Sequence, residues 1–374
     1  MLTFSTILSA VKPRERTNQY LILSALYCLN AHSSAVRVKE ITQLLRLHLG
    51  NKTPKNPHAL LRSYTAYVEP VGGGPQLQWK LTHNGLEQIR TLSGLALATT
   101  TYDSDFQIDV GIVCALEQPE FSAVMDALGG AKAWKEVGNP SYPHVYRETS
   151  FVTDCGKTLR IVGTTSTSMG LTAAAIATTH LVLQFRPRLV MMIGIAAGTH
   201  NGDKQYGDVL VADPSVDYNS GKVVDSNGIR EFLPDPYPIG LNPRLRSVLK
   251  KHGGTQGVFD DIRDRWTHKK KPTTWNRLHM GPLGAADQVI DDPSRILEIQ
   301  RNWRKLIGVE METYGVYRAC YESPDPKPRV VSFKAVCDFA AEKTDLWQPY
   351  AAFMAAEFAV QFLRREWGAL WSSS

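Results

Sequence analysis

From Ile108 onward, apolar runs of strand length alternate with stretches of helical spacing, and few folds accept that order. Residues 189–195 are apolar throughout, and residues 108–116 and 330–336 nearly so. Runs of this kind suit strands buried on both faces. Strand-like segments also fall at 208–212 and 279–282, and 145–153 with 158–165 read as a hairpin around Asp154-Cys155-Gly156. Helical spacing marks 120–128, the Ala-rich stretch 172–184, 243–252, 293–304, 313–321 and 348–367. The alternation predicts an α/β domain with a largely parallel or mixed central sheet.

Two of the strand ends carry acids. Val309-Glu310-Met311-Glu312 runs into the helix at 313–321, and Cys337-Asp338 closes the strand at 330–336. Open α/β folds hold ligands at such ends. Glu310 is explained as a first-turn acid favoured by the helix dipole, whereas Glu312 is not. The pair suits an enzyme that grips a sugar hydroxyl with one acid and serves a leaving base with the other.

The first quarter differs in charge. Residues 1–98 hold 11 Lys and Arg against 4 Asp and Glu and contain no Asp, in a chain of net charge +6. Helical spacing covers 18–32, 38–49 and 56–67, the last with Asn56 and Pro57 at its start. A strand at 68–71, the turn Gly72-Gly73-Gly74 and a strand at 77–81 follow, then a helix at 83–93 capped by Thr82. This order resembles a winged helix-turn-helix domain, whose third helix would carry His58, Arg62 and Tyr64. The excess of positive charge points to an acidic partner, DNA or a sensor protein. The boundaries expected are a small α+β module at 1–95, a linker at 96–106 and the α/β domain at 107–374.

No apolar run reaches the roughly 18–20 residues needed to span a bilayer, and no basic residue precedes the mildly apolar start. Five scattered cysteines without a C-x-x-C pair suggest a reducing cytoplasm, and the histidines form no metal-ligand pattern. No metal and no cofactor are expected. Residues 260–277 stand apart. Arg263, Arg265, His268, Lys269, Lys270, Lys271 and Arg277 interleave there with Trp266 and Trp275. Clustered cations and aromatic faces suit a phosphate clamp, with Lys270 and Arg277 as its members.

Five segments in order resemble the nucleoside phosphorylase/hydrolase superfamily, close to its methylthioadenosine/adenosylhomocysteine nucleosidase branch. They are Gly111-Ile-Val-Cys-Ala-Leu-Glu-Gln-Pro-Glu120; Ser168-Met169-Gly170; Gly194-Ile-Ala196-Ala-Gly198 with Gly207-Asp208-Val209; Gly284-Ala-Ala-Asp-Gln-Val289-Ile290; and Val309-Glu-Met-Glu312 with Cys337-Asp338. The resemblance implies a three-layer fold with a central mixed sheet and cleavage of a purine N-glycosidic bond. It implies that Asp338 protonates the departing base, for which burial would raise its pKa. It implies that Glu312 grips the ribose hydroxyls with Met311 against the sugar. A glutamate after the first strand would activate water, Glu120 being favoured over Glu117. Met169, Gly170, Ala196, Val289 and Ile290 would line the substrate. The family's serine is replaced by Ile195, which counts against phosphorolysis, and its base-stacking aromatic by Val289.

The layout resembles superfamily members that destroy ATP as bacterial antiviral effectors. The resemblance therefore implies hydrolysis of an adenine nucleotide such as ATP to adenine and ribose phosphate, by a homo-oligomer. A purine nucleoside phosphorylase and a DNA-binding regulator with a nucleotide-sensing C-terminal domain are the alternatives.

Overall fold

The structure is a computed structural model that describes residues 3–29, 31, 34–93, 106–139, 141–199, 203–268, 270–340 and 345–371. The chain divides into two compact units, Met1–Asp105 and Phe106–Ser374. Apart from Phe106, the expected linker lies outside the described residues.

The first unit holds helices α1 (Phe4–Ser9), α2 (Asn18–Cys28), α3 (Val38–Leu49), α4 (Pro57–Ser63) and α5 (His83–Ser93). Strands β1 (Val36–Arg37), β2 (Val68–Val71) and β3 (Gln78–Leu81) form an antiparallel sheet in the order β1-β3-β2. Ile22, Leu26, Ile41, Leu45, Leu61 and Trp79 fill its core. The Asn56 side chain caps α4, accepting from Ala59 N–H at 3.3 Å, and Pro57 supplies the first turn. The expected third helix is cut short at Ser63. Tyr67 and Val68 turn back onto the Tyr64 carbonyl, so that Val68 can pair with Leu81.

The second unit is built on a nine-stranded mixed sheet. Its strands are β4 (Ile108–Cys114), β5 (Lys135–Val137), β6 (Tyr146–Val152), β7 (Thr158–Thr165), β8 (Pro187–Gly198), β9 (Val209–Asp217), β12 (Leu278–Ala285), β13 (Gly308–Glu310) and β14 (Arg329–Asp338). Their order is β13-β12-β9-β14-β8-β4-β7-β6-β5. The central strands β14, β8, β4 and β7 are parallel. At one end β13 also pairs antiparallel with β8, Gly308 with Gly198 and Val309 with Ala197. That pairing folds the far edge of the sheet back onto its centre.

Strand β8 shows why the sheet is a middle layer. Leu189, Met191 and Ile193 enter one apolar cluster with the closing helix, while Val190 and Met192 enter another on the opposite face. Alternate side chains of a strand point to opposite faces, so both faces need cover. The closing helix α12 (Gln348–Trp371) covers the first through Phe358 and Phe362. Helices α7 (Leu171–Phe185) and α11 (Thr313–Glu322) cover the second through Ala174, Leu181 and Val316. Each of the larger side chains among these contributes about 1.5–3 kcal/mol on burial. Shorter helices α6 (Ser122–Ala127), α8 (Pro243–Gly253), α9 (Val258–Asp264) and α10 (Pro293–Asn302) complete the unit.

Two elements differ from expectation. The helix expected at 120–128 begins as a single wide turn, Glu117–Phe121, before α6. Strands β10 (Gly221–Ser226) and β11 (Ile229–Pro234) form a hairpin that the apolar pattern does not announce. Its turn residues Asn227 and Gly228 have φ of 58° and 80°, the left-handed pair that Asn-Gly turns supply. No helix among the described residues is long and apolar enough to cross a membrane.

Helices α7 and α11 meet where Gly315 faces the first turn of α7. A Cβ at Gly315 would lie 2.2 Å from the Leu171 carbonyl oxygen. Gly315→Ala is therefore expected to force the helices apart and destabilise the chain by about 1–3 kcal/mol, measured by chemical denaturation.

Candidate active site

A cavity of about 320 Å³ opens at the carboxyl ends of β4, β8 and β14, where β13 turns into α11. Glu120, Met169, Ala196, Val289, Ile290, Met311, Glu312 and Asp338 line it, so eight residues named from the sequence meet there. Gly170 lies beside it, its N–H donating to Glu312 Oε1 at 3.1 Å. Glu117 does not reach the cavity. It is partly exposed and pairs with Arg147 at 3.0 Å.

Under the cavity lies Lys334, fully buried on β14. Its Nζ is 3.2 Å from Glu310 Oε2 and 3.3 Å from Glu312 Oε2. Glu310 also accepts from Glu312 N–H at 3.1 Å and Thr313 N–H at 3.0 Å, which closes the start of α11. It is thus a helix-start acid as expected, and an ion-pair partner as well. Burial pushes the Glu310 carboxyl above its usual range, although Lys334 pulls it back. Burial works against the charge on Lys334, yet Glu310, Glu312 and Glu120 together hold its pKa above the ordinary lysine value.

Glu120 is held by backbone alone. Its Oε2 accepts from Ala115 N–H at 2.8 Å and Leu116 N–H at 2.9 Å, and its Oε1 from Ile195 N–H at 2.9 Å. The wide turn at Glu117–Phe121 is what folds the carboxylate back onto the end of β4. Burial raises its pKa; the Lys334 charge opposes the rise, Glu312 adds to it, and the backbone donors oppose it again. Gly194 makes room for this arrangement. A Cβ there would stand 2.1 Å from Glu120 Oε1.

Asp338 is half-buried rather than enclosed, because it ends β14 at the cavity wall. The burial expected from its strand-end position is therefore only partial. Its Oδ1 accepts from Ala340 N–H at 2.8 Å, and its Oδ2 lies 3.3 Å from Cys337 Sγ.

Neither Lys270 nor Arg277, the residues expected to form a phosphate clamp within 260–277, lines the cavity. The insertion is tied to itself and to the sheet. Buried Arg263 donates to the carbonyls of Pro272 and Thr274 and to Asn276 Oδ1. The Lys270 carbonyl accepts from Trp266 Nε1, and its side chain is exposed. Arg277 holds the Asp203 carbonyl at 2.6 Å, and its backbone N–H donates to Asp208. Between these two acids Tyr206 stacks on Trp347 and meets Phe339 edge-on. The segment thus anchors the 203–208 stretch, whose Tyr206 packs against the chain that follows Asp338. Among the described residues no lysine or arginine lines the cavity.

Comparison with known proteins bears on this geometry. Residues 109–361 match the Phosphorylase superfamily. The chain belongs to that superfamily. Protein y4jS of Sinorhizobium fredii is 26% identical over 384 residues, covering 96% of this chain and 91% of its own length. ATP nucleosidase Cap17 of Escherichia coli is 24% identical over 230 residues, 59% of this chain and 44% of its own. The match thus spans less than half of Cap17. The 5'-methylthioadenosine/S-adenosylhomocysteine nucleosidase of Marinomonas sp. is 26% identical over 47% of this chain and 67% of its own length. The same kind of nucleosidase from Helicobacter pylori, complexed with a pyrrolopyrimidine-bearing pyrrolidinol, superposes with a TM-score of 0.53 at 19% identity. It covers 69% of this chain and 98% of that one.

Within this superfamily chain, sequence reasoning missed Lys334 and Gly194. Lys334 was visible as the lone cation of the apolar run 330–336, a place where lysine needs an anion. Gly194 needed the position of Glu120. Lys334→Met is expected to destabilise the protein by about 3–5 kcal/mol, since it leaves the buried carboxylates uncompensated; urea denaturation measures this. Gly194→Ala is expected to keep the fold but displace Glu120, seen as lost activity without a matching loss of melting temperature.

Proposed function

We propose that this chain hydrolyses the N-glycosidic bond of an adenine nucleotide such as ATP, releasing adenine and ribose phosphate. It is an N-glycosidase of the phosphorylase superfamily, and its nucleosidase relatives support a purine as the leaving group. The observation that carries hydrolysis is the charge of the site. Three carboxylates, Glu120, Glu310 and Glu312, face the one ammonium buried beneath the cavity, and no cation among the described residues lines the cavity itself. Cleavage leaves positive charge on the ribose, which such a site stabilises. It repels orthophosphate, and Ile195 offers no hydroxyl in its place, so water is the favoured nucleophile.

The roles follow from which oxygens remain available. An ionised carboxylate accepts about four hydrogen bonds. Glu120 spends three on backbone donors and keeps one for a water molecule. Glu312 spends one on Gly170 and one on Lys334, which leaves acceptors for two vicinal hydroxyls. Met311 packs beside the sugar. Asp338 protonates the base through Oδ2, whose contact is the Cys337 thiol at 3.3 Å, while Oδ1 is held by the Ala340 N–H. Backbone groups at Val289 and Ile290 read the base edge, with Met169 and Ala196 on the remaining walls.

ATP as the substrate is supported by the ATP nucleosidase relative, not by the 260–277 insertion. We assign the first unit to a winged-helix-like interaction module. Its net positive charge supports DNA or an acidic sensor protein as partner. An antiviral effector acting in the cytoplasm as a homo-oligomer fits this pairing of modules.

The test is a product assay on the purified chain with ATP, dATP, GTP, adenosine and methylthioadenosine. ATP is expected to give free adenine and ribose triphosphate, equally with and without phosphate. Cleavage of methylthioadenosine with ATP left intact would reject the nucleotide reading. Asp338→Asn and Glu120→Gln are each expected to lower kcat about 10²–10⁴-fold with melting unchanged. Because Glu120 must be ionised and burial raises its pKa, kcat/KM is expected to fall as pH drops through a value above the roughly 4.3 of free glutamate. A limb at or below that value would remove Glu120 from the role of base.

A further inference from the structure

A second cavity, of about 370 Å³, lies between the hairpin β10–β11 and helix α10, and the glycosidic chemistry makes no use of it. Its wall is cationic. Arg230 comes from β11, and Arg295 and Arg301 come from α10. Two acids share the wall, and one of them, Glu298, is neutralised by Arg295 at 2.9 Å. Arg295 spends its other nitrogen on Asn219 at 3.1 Å. Among the described residues neither Arg230 nor Arg301 has an ion-pair partner. Guanidinium groups in this state suit an oxyanion, which each can grip with two parallel donors.

Tyr218 adds an independent sign. It lines the same cavity, is 4% exposed, and its hydroxyl has no hydrogen-bond partner. Buried polar groups are rarely left so. An acceptor oxygen from a bound molecule would complete it. Trp303, also on the wall, offers a flat ring face.

We propose that this cavity binds a phosphate-bearing small molecule of nucleotide size. Arg230 and Arg301 take the phosphate, the Tyr218 hydroxyl donates to it, and Trp303 packs against its ring. The site is separate from the catalytic cavity but shares packing with it. Tyr218 belongs to one apolar cluster with Ile290 and Ile296, and Ile290 also lines the catalytic cavity.

The experiment is calorimetric titration of the full chain carrying Asp338→Asn, which prevents turnover, with ATP and separately with inorganic tripolyphosphate. Adding Arg230→Ala and Arg301→Ala, both at exposed positions, is expected to remove one ATP-binding event or weaken it at least about tenfold. Two events falling to one supports the site together with a catalytic ATP site. One event falling to none supports the site and rejects ATP at the catalytic cavity. The same loss for tripolyphosphate identifies an inorganic phosphate chain as a sufficient ligand; loss for ATP alone identifies the nucleotide. Glu231→Gln, which removes the remaining acid of the wall, is expected to tighten the event. Unchanged binding of both probes after the arginine substitutions overturns the proposal.

Discussion

Lys334 puts one positive charge among the Glu120, Glu310 and Glu312 carboxylates in a region from which water is excluded. Carboxylates so placed would rather take up protons than share a low-dielectric space. The ammonium lets two of them approach within 3.3 Å, and backbone N–H groups do the same for the third. The remaining charge is negative and cannot relax away, because the groups are fixed to three different strands, β4, β13 and β14, or to the turns that follow them. That imbalance favours a cation in the cavity and disfavours an anion there.

The sheet exists, in this sense, to hold four side chains from distant parts of the chain. Glu120 follows β4, Lys334 lies within β14, and Glu310 and Glu312 immediately precede α11. The antiparallel pairing of β13 with β8 brings the last two to the centre. Without it, the carboxyl end of an edge strand would lie several strands away from Lys334.

Much of this was legible in the sequence. The apolar runs at 189–195 and 330–336 located central strands because both faces of those strands are covered. The carboxylates at strand ends were legible because ligand sites in such sheets occur there. Burial depth was not, since Asp338 sits at the rim rather than beneath it, and strand-end position does not distinguish the two. The hairpin β10–β11 escaped because its side chains are mostly exposed and lack apolar alternation, although Asn227-Gly228 marked its turn. The 260–277 cations misled for a related reason. Charge density does not reveal direction, and Arg263 and Arg277 turn inward to bind carbonyl groups.

The order of these residues along the chain has a consequence for synthesis. Glu120 emerges first, Glu310 and Glu312 nearly two hundred residues later, and Lys334 and Asp338 after them. A nascent chain stopped before residue 334 lacks the counter-ion that lets Glu310 and Glu312 approach. The cluster of one ammonium and three carboxylates is therefore complete only once β14 lies in the middle of the sheet between β8 and β9.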